Sequence, residues 1–243
     1  MNRCNSDTDG IVRMEKDGGI IFTFSISQII LGDFFHHRKK GKMKTKKLNT
    51  KAMIMISMLG AIAGLLMFFE LGVPFVLPFI KLDISELPVM LSGFLFGPLL
   101  GALSAVIKII IKLLIKPTST MYVGELSNLI LSIAYQGIAA IIYRHYKSKK
   151  GAMAGLAVST IATSTLSIVS NVLFIFPFYV NMMKLPMSAI VGMAHKAAPW
   201  VNDATSMFMT TIFPFNILKF GLVSVLTLLI YKPLSRVIKN NMQ

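Results

Sequence analysis

Pro98-Leu-Leu-Gly-Ala-Leu-Ser-Ala-Val-Ile-Lys-Ile-Ile-Ile-Lys-Leu-Leu-Ile-Lys116 decides the fold. Its residues are almost all apolar, it holds no acid, and its one proline is the first residue. Crossing the hydrocarbon of a bilayer takes about 20 such residues in a helix. The three lysines, Lys108, Lys112 and Lys116, recur every four residues, so they share one drifting helical face. Lys112 and Lys116 read as reaching the outer interface by snorkelling, whereas Lys108 is deeper and needs a partner or water. The spacing therefore predicts a membrane-spanning helix with one polar stripe.

Working outward, similar runs recur along the chain. Apolar residues make up 54% of the 243 and charged residues only 14%, against about one half and one quarter in soluble domains. That balance excludes a disordered chain, a coiled coil, a disulfide scaffold and an outer-membrane barrel, whose strands alternate. The single cysteine, Cys4, allows no internal disulfide or cysteine-based metal cluster. From Met43 onward, runs punctuated by Pro, Gly and charge read as six spans near 50–69, 86–97, 98–116, 121–143, 151–180 and 205–231. The expected fold is an all-α integral membrane protein with six transmembrane helices, residues 43–243 forming one membrane domain.

Residues 1–42 do not fit this pattern. The apolar stretch 19–31 is too short to span and has no small-residue cleavage site. Arg38-Lys-Lys-Gly-Lys42 asks for purine-rich codons, as a ribosome-binding site would, which points to Met43 as the start of translation. Residues 1–42 then form a non-conforming extension, upstream of that start, or else a disordered cytoplasmic tail.

The net charge of +15 is topological. After residue 42 the chain keeps 18 basic and five acidic residues. With both termini cytoplasmic, eleven of the 18 fall inside, in Lys44/Lys46/Lys47/Lys51, Arg144/Lys147/Lys149/Lys150 and Lys232/Arg236/Lys239, as the positive-inside rule requires. No nucleic-acid-binding motif is present. The five acids, Glu70, Asp83, Glu86, Glu125 and Asp203, all fall on the outer side, so polar chemistry is expected there.

The first outer loop, 70–86, is too apolar for a solvated connection and is expected to fold back as a lid or plug, or to lie in the interface. Ser85 with Pro88 reads as the start of the second helix. Glu125 and Asn128 are neighbours on the fourth span, Asn171 lies amid Phe174, Phe176 and Phe178 on the fifth, and Asn216 and Lys219 pair on the sixth. Intramembrane amides and charges are site candidates, or else interhelical hydrogen bonds. Together they point to an outward pocket with aromatic walls for a flat heteroaromatic ligand. His195 has no second ligand at metal spacing, and it and Trp200 read as interfacial. No catalytic constellation or metal site is apparent; a lipid-modifying enzyme or a free-standing secondary transporter, which would show inverted repeats, is the weaker reading.

Phe79-Ile-Lys-Leu-Asp-Ile-Ser-Glu-Leu-Pro88 running through Gly97-Pro98 to Lys108, Val123-Gly-Glu-Leu-Ser-Asn128 and Pro214-Phe-Asn-Ile-Leu-Lys219 together resemble the riboflavin-binding S components (RibU type) of energy-coupling factor vitamin transporters. The resemblance covers essentially residues 43–240. It implies a multi-pass protein of the bacterial cell membrane that captures riboflavin from outside as transported ligand, with no cofactor. It also implies as polar contacts Glu125, Asn128, Asn181, Asn216 and Lys219, and lid contacts Leu77, Phe79, Lys81, Leu82 and Asp83; Asn171 is added from the face argument. The implied partners are membrane lipid, a transmembrane coupling subunit and two cytoplasmic ATPases. This chain has no Gly-x-x-x-x-Gly-Lys-Ser/Thr loop of its own. In that family small residues of the first helix meet the coupling subunit; here Gly60 and Gly64, with Ala61 and Ala63, would do so, or would form an internal packing seam. An S component for another vitamin, such as thiamine or biotin, is the alternative.

Overall fold

The computed structural model describes residues 50–241 apart from 78, 79, 119 and 183, with the backbone alone over 231–241. Residues 1–42 and the Lys44/Lys46/Lys47 cluster lie outside the described residues. Helices α1 (Thr50–Leu66), α2 (Glu86–Phe96), α3 (Pro98–Ile115) and α4 (Val123–His145) come first. There follow α5 (Lys149–Ser170), α6 (Phe176–Met182), α7 (Met187–Ala197), α8 (Ala204–Met207) and α9 (Phe213–Asn241). A five-residue π-helical turn, Asn171–Ile175, joins α5 to α6, and a second, Phe208–Ile212, joins α8 to α9. Among the described residues four rods are long and apolar enough to cross a membrane: Pro98–Ile115, Val123–His145, Lys149–Met182 and Ala204–Ile230. These match the expected third to sixth spans.

The expected second span is a helix where the sequence placed it, but short. Its 11 residues extend only about 16 Å at 1.5 Å per residue. It compensates by position: α2 packs against α1, α3, α4 and α9, and Glu86, Pro88, Val89, Met90, Ser92, Gly93 and Phe94 are buried. The turn into α3 is made by Gly97 at φ 97°, a left-handed conformation that disfavours any Cβ. The Arg144 guanidinium lies 2.9 Å from where that Cβ would stand. Pro98 opens α3 at N1, where its missing N–H costs no helical bond.

Of the two readings of Gly60 and Gly64, the packing of α1 on α3 favours the internal seam. A Cβ on Gly60 would come within 2.8 Å of Ile107 Cβ, and one on Gly64 within 2.6 Å of Ile111 Cβ. Both glycines are buried and let α1 lie directly on α3. The seam is internal, and the outward face of α1 carries Ile54, Met58, Ile62 and Leu65 instead.

Large exposed side chains such as Leu99, Leu114 and Leu229 suit a lipid-facing surface, while the interior is comparatively polar. Ser159, Thr163, Ser164 and Ser167 on α5 are fully buried. One apolar cluster gathers Met90, Phe94, Tyr135, Tyr143, Leu156 and Phe220. A second joins Leu77, Val123, Ile175, Phe176, Tyr179, Ile190, Met207, Phe208 and Ile212. The site lies between them.

Candidate functional site

The loop 67–85 is tied together by a minimal antiparallel ribbon, β1 (Leu71–Gly72) with β2 (Lys81–Leu82), in which Leu71 faces Leu82 and Gly72 faces Lys81. Between the strands Val76 and Leu77 turn inward and are buried, Leu77 within the second apolar cluster. Burying this pair favours the loop's return over the helix ends by roughly 1.5–3 kcal/mol per large side chain.

Beneath the loop, a cavity of about 130 Å³ opens among α4, the α5–α6 rod and α9. Each helix contributes one stripe at three- and four-residue spacing. These are Gly124, Ser127, Asn128 and Leu131; Asn171, Ile175 and Tyr179; and Ile212, Phe215, Asn216, Lys219 and Phe220. Ile80, Lys81 and Glu86 close the remaining side. Both π-helical turns lie at this level, supplying Asn171, Ile175 and Ile212; such turns recur at functional sites because the extra residue re-aims the helix beyond it.

Of the residues expected to touch a ligand, Lys81, Asn128, Asn171, Asn216 and Lys219 line the cavity. Leu77, Leu82 and Asp83 belong to the loop but do not line it. Phe79 lies outside the described residues. Asn181 is exposed on α6, away from the cavity. Glu125 is buried but spoken for: Lys112 pairs with it, and Thr118 and Thr120 donate to its Oε2 at 3.0 and 3.2 Å. The aromatic wall also differs from expectation. Phe174 is exposed, and Tyr179, Phe215 and Phe220, rather than Phe174, Phe176 and Phe178, line the cavity. Glu86 and Ser127, which also line the cavity, escaped the sequence reading; Ser127 directly precedes Asn128 in a motif already singled out.

The lysine stripe of α3 is engaged throughout, so snorkelling gives way to pairing. Lys116 pairs with Glu70, which also accepts from Lys81 at 2.7 Å. Lys112 takes Glu125. Lys108 is fully buried and donates to Glu86 Oε1 at 2.6 Å, Asn128 Oδ1 at 2.8 Å and Ser132 Oγ at 3.1 Å. Across the cavity Lys219 donates to Asp83 Oδ2 at 2.8 Å, joining the loop to α9. Ser85 donates to Asp83 Oδ1 through its backbone N–H at 2.9 Å and also through its hydroxyl. Burial alone would raise the Asp83 carboxyl; the Lys219 and Lys108 charges, with these hydrogen bonds, outweigh that and hold it below its ordinary value. Glu70 is likewise lowered, burial opposing and Lys116 and Lys81 prevailing. The charges around the cavity are thus balanced internally, which favours a ligand without strong net charge.

Around this cavity amides and lysines stand beside aromatic rings, and the described residues hold no group of three or more metal-ligating side chains. The sequence matches the family described as "ECF transporter, substrate-specific component" over residues 51–231. The chain belongs to this family. Among its relatives is the riboflavin transporter RibU of Staphylococcus aureus (strain TCH60), 30% identical over 199 residues, 82% of this chain and 98% of that protein. The riboflavin transporter FmnP of Bacillus subtilis (strain 168) is 28% identical over 190 residues, 78% of this chain and 92% of that protein. A solved structure of the S component of a bacterial ECF transporter superposes with a TM-score of 0.61 at 28% identity, covering 78% of this chain and 98% of that one. This S component is therefore a multi-pass transporter subunit, and the family's role is substrate binding.

Proposed function

We propose that this S component captures riboflavin from outside a bacterial cell membrane and delivers it through an energy-coupling factor importer. Its six spans would be α1, α2, α3, α4, the rod Lys149–Met182 and the rod beginning at Ala204, with both termini cytoplasmic. The observation that carries the reading is the composition of the cavity. Three amides (Asn128, Asn171 and Asn216) and Lys219 sit beside Tyr179, Phe215 and Phe220, in a chain whose relatives of 28% and 30% identity are riboflavin transporters. A flat, neutral heteroaromatic ring edged with carbonyls and N–H groups suits such walls. The cavity lies at the N-terminal end of α4, whereas Arg144, Lys147, Lys149 and Lys150 cluster at its other end, the side that basic residues mark as cytoplasmic.

The present volume is below the roughly 300–1,000 Å³ of small-molecule sites, and Ile80 and Lys81 form one wall. Entry of the ligand thus requires the loop 67–85 to swing outward, which makes it a lid. Energy would come from partners: a transmembrane coupling subunit and two cytoplasmic ATPases. The test is the absorption spectrum of detergent-purified protein expressed with riboflavin and washed extensively. Retained flavin near one per chain, weakened by Lys219→Ala, supports the reading. A folded but colourless protein whose Trp200 fluorescence ignores riboflavin transfers the site to another vitamin, thiamine or biotin being the first to try.

A further inference from the structure

A primary amide presents a donor on one side and an acceptor on the other, so the group holding one side decides which is offered to the cavity on the other. Lys108 Nζ can only donate, and the Asn128 atom 2.8 Å from it is therefore the carbonyl oxygen, Oδ1. Lys108 has no freedom to do otherwise. Its remaining two N–H groups go to Glu86 Oε1 at 2.6 Å and Ser132 Oγ at 3.1 Å, and Ser132 spends its own proton on Glu86 Oε2 at 2.6 Å. Lys108, Glu86 and Ser132 are essentially fully buried, so water cannot substitute for any of these bonds. The ring of three is satisfied and neutral; it meets the cavity through Glu86 and through Asn128, whose Oδ1 is taken by Lys108, so that its Nδ2 is left for the cavity.

The other two amides are held the opposite way. Asn171 Nδ2 donates to Ser167 O at 2.6 Å and Asn216 Nδ2 to Ile212 O at 2.8 Å. Backbone carbonyls only accept, so both nitrogens are turned to their own helices and both oxygens remain as acceptors.

Resting on the riboflavin reading, we propose that Lys108, which does not line the cavity, is a positioning residue. It locks the Asn128 amide with its nitrogen facing the ligand, so that Asn128 donates to a ring carbonyl and sets the polarity by which the site tells an imide edge from its amino analogues. Asn171 and Asn216 supply the complementary acceptors for N–H or O–H groups of the ligand.

The test compares riboflavin with its two analogues in which the C2 or the C4 ring carbonyl is replaced by an amino group, measured as dissociation constants on detergent-solubilised protein. Wild type is expected to prefer riboflavin over at least one analogue by roughly 10–100-fold, the range for a mismatched buried hydrogen bond. In Lys108→Met/Glu86→Gln, which removes both charges of the pair together, the Asn128 amide can turn over and that preference should fall several-fold. Asn128→Asp keeps an oxygen for Lys108 but presents a second acceptor, and should lose the preference even if the double variant does not fold. A residue that merely packs would weaken all three ligands equally and leave the ratio intact. Unchanged ratios in the variants overturn the positioning role while leaving riboflavin binding standing; a folded wild type that binds no flavin overturns both.

Discussion

Replacing Gly64 by valine tests whether the seam between α1 and α3 is internal. A Cβ there would stand 2.6 Å from Ile111 Cβ and 3.0 Å from Lys108 O. Carbon atoms pack at about 3.5–4.0 Å, so the helices would have to separate by roughly 1 Å, and the branched side chain of valine adds bulk beyond that. Overpacking of this kind costs about 1–3 kcal/mol, offset by a few tenths from valine's better helix propensity than glycine's. A net loss near 2 kcal/mol corresponds to about 4–8 °C in Tm for a chain of this size. Gly221 is the control: it lies within α9 and a Cβ there meets nothing within 4 Å, so Gly221→Ala should be neutral or stabilise by roughly 0.5–1 kcal/mol. Thermal unfolding in detergent, followed by the monodisperse fraction, gives both numbers. A Gly64→Val protein that melts with wild type yet fails to co-purify with its coupling subunit would refute the internal seam and return the glycines to a partner surface.

Other expectations follow from the ion pairs. Lys219→Met or Asp83→Asn alone leaves a buried group without its partner and should cost about 3–5 kcal/mol, while the double variant recovers much of it; additive losses in a double-mutant cycle would show that the pair is not a working contact. Because Asp83 is held below its ordinary value of 3.8, its contribution is fully present above that value and is lost as pH falls through the lowered one. Riboflavin affinity and Tm should accordingly be flat across the neutral range and drop only below about pH 4, and a midpoint near neutrality would contradict the Asp83 assignment. Asn171→Ala should weaken riboflavin binding by about tenfold or more, whereas Asn181→Ala, on an exposed position, should leave it within about twofold; titration by flavin fluorescence quenching separates the two, and the reverse order would move the site toward the outer end of α6.

Much of this protein was readable from one dimension. Apolar runs bounded by Pro, Gly and charge located every described helix that is long enough to cross a membrane, because a bilayer leaves the backbone few alternatives to a continuous helix. The stripes through Asn128, Asn171 and Asn216 with Lys219 were readable for the same reason: helical spacing decides which neighbours share a face. Partnership was another matter. Spacing placed Glu125 on the face of Asn128 but could not say that Lys112, Thr118 and Thr120 would claim it, nor that Gly60 and Gly64 would be covered by α3. Asn171, Ile175 and Tyr179 line the cavity while Phe174 faces out, a choice between neighbours three and four residues apart that composition does not mark. Local sequence determines a helix because its hydrogen bonds are local; which charge meets which lysine, and which end of an amide faces the ligand, depends on groups such as Glu86 and Lys108, 22 residues apart, that only tertiary packing brings together.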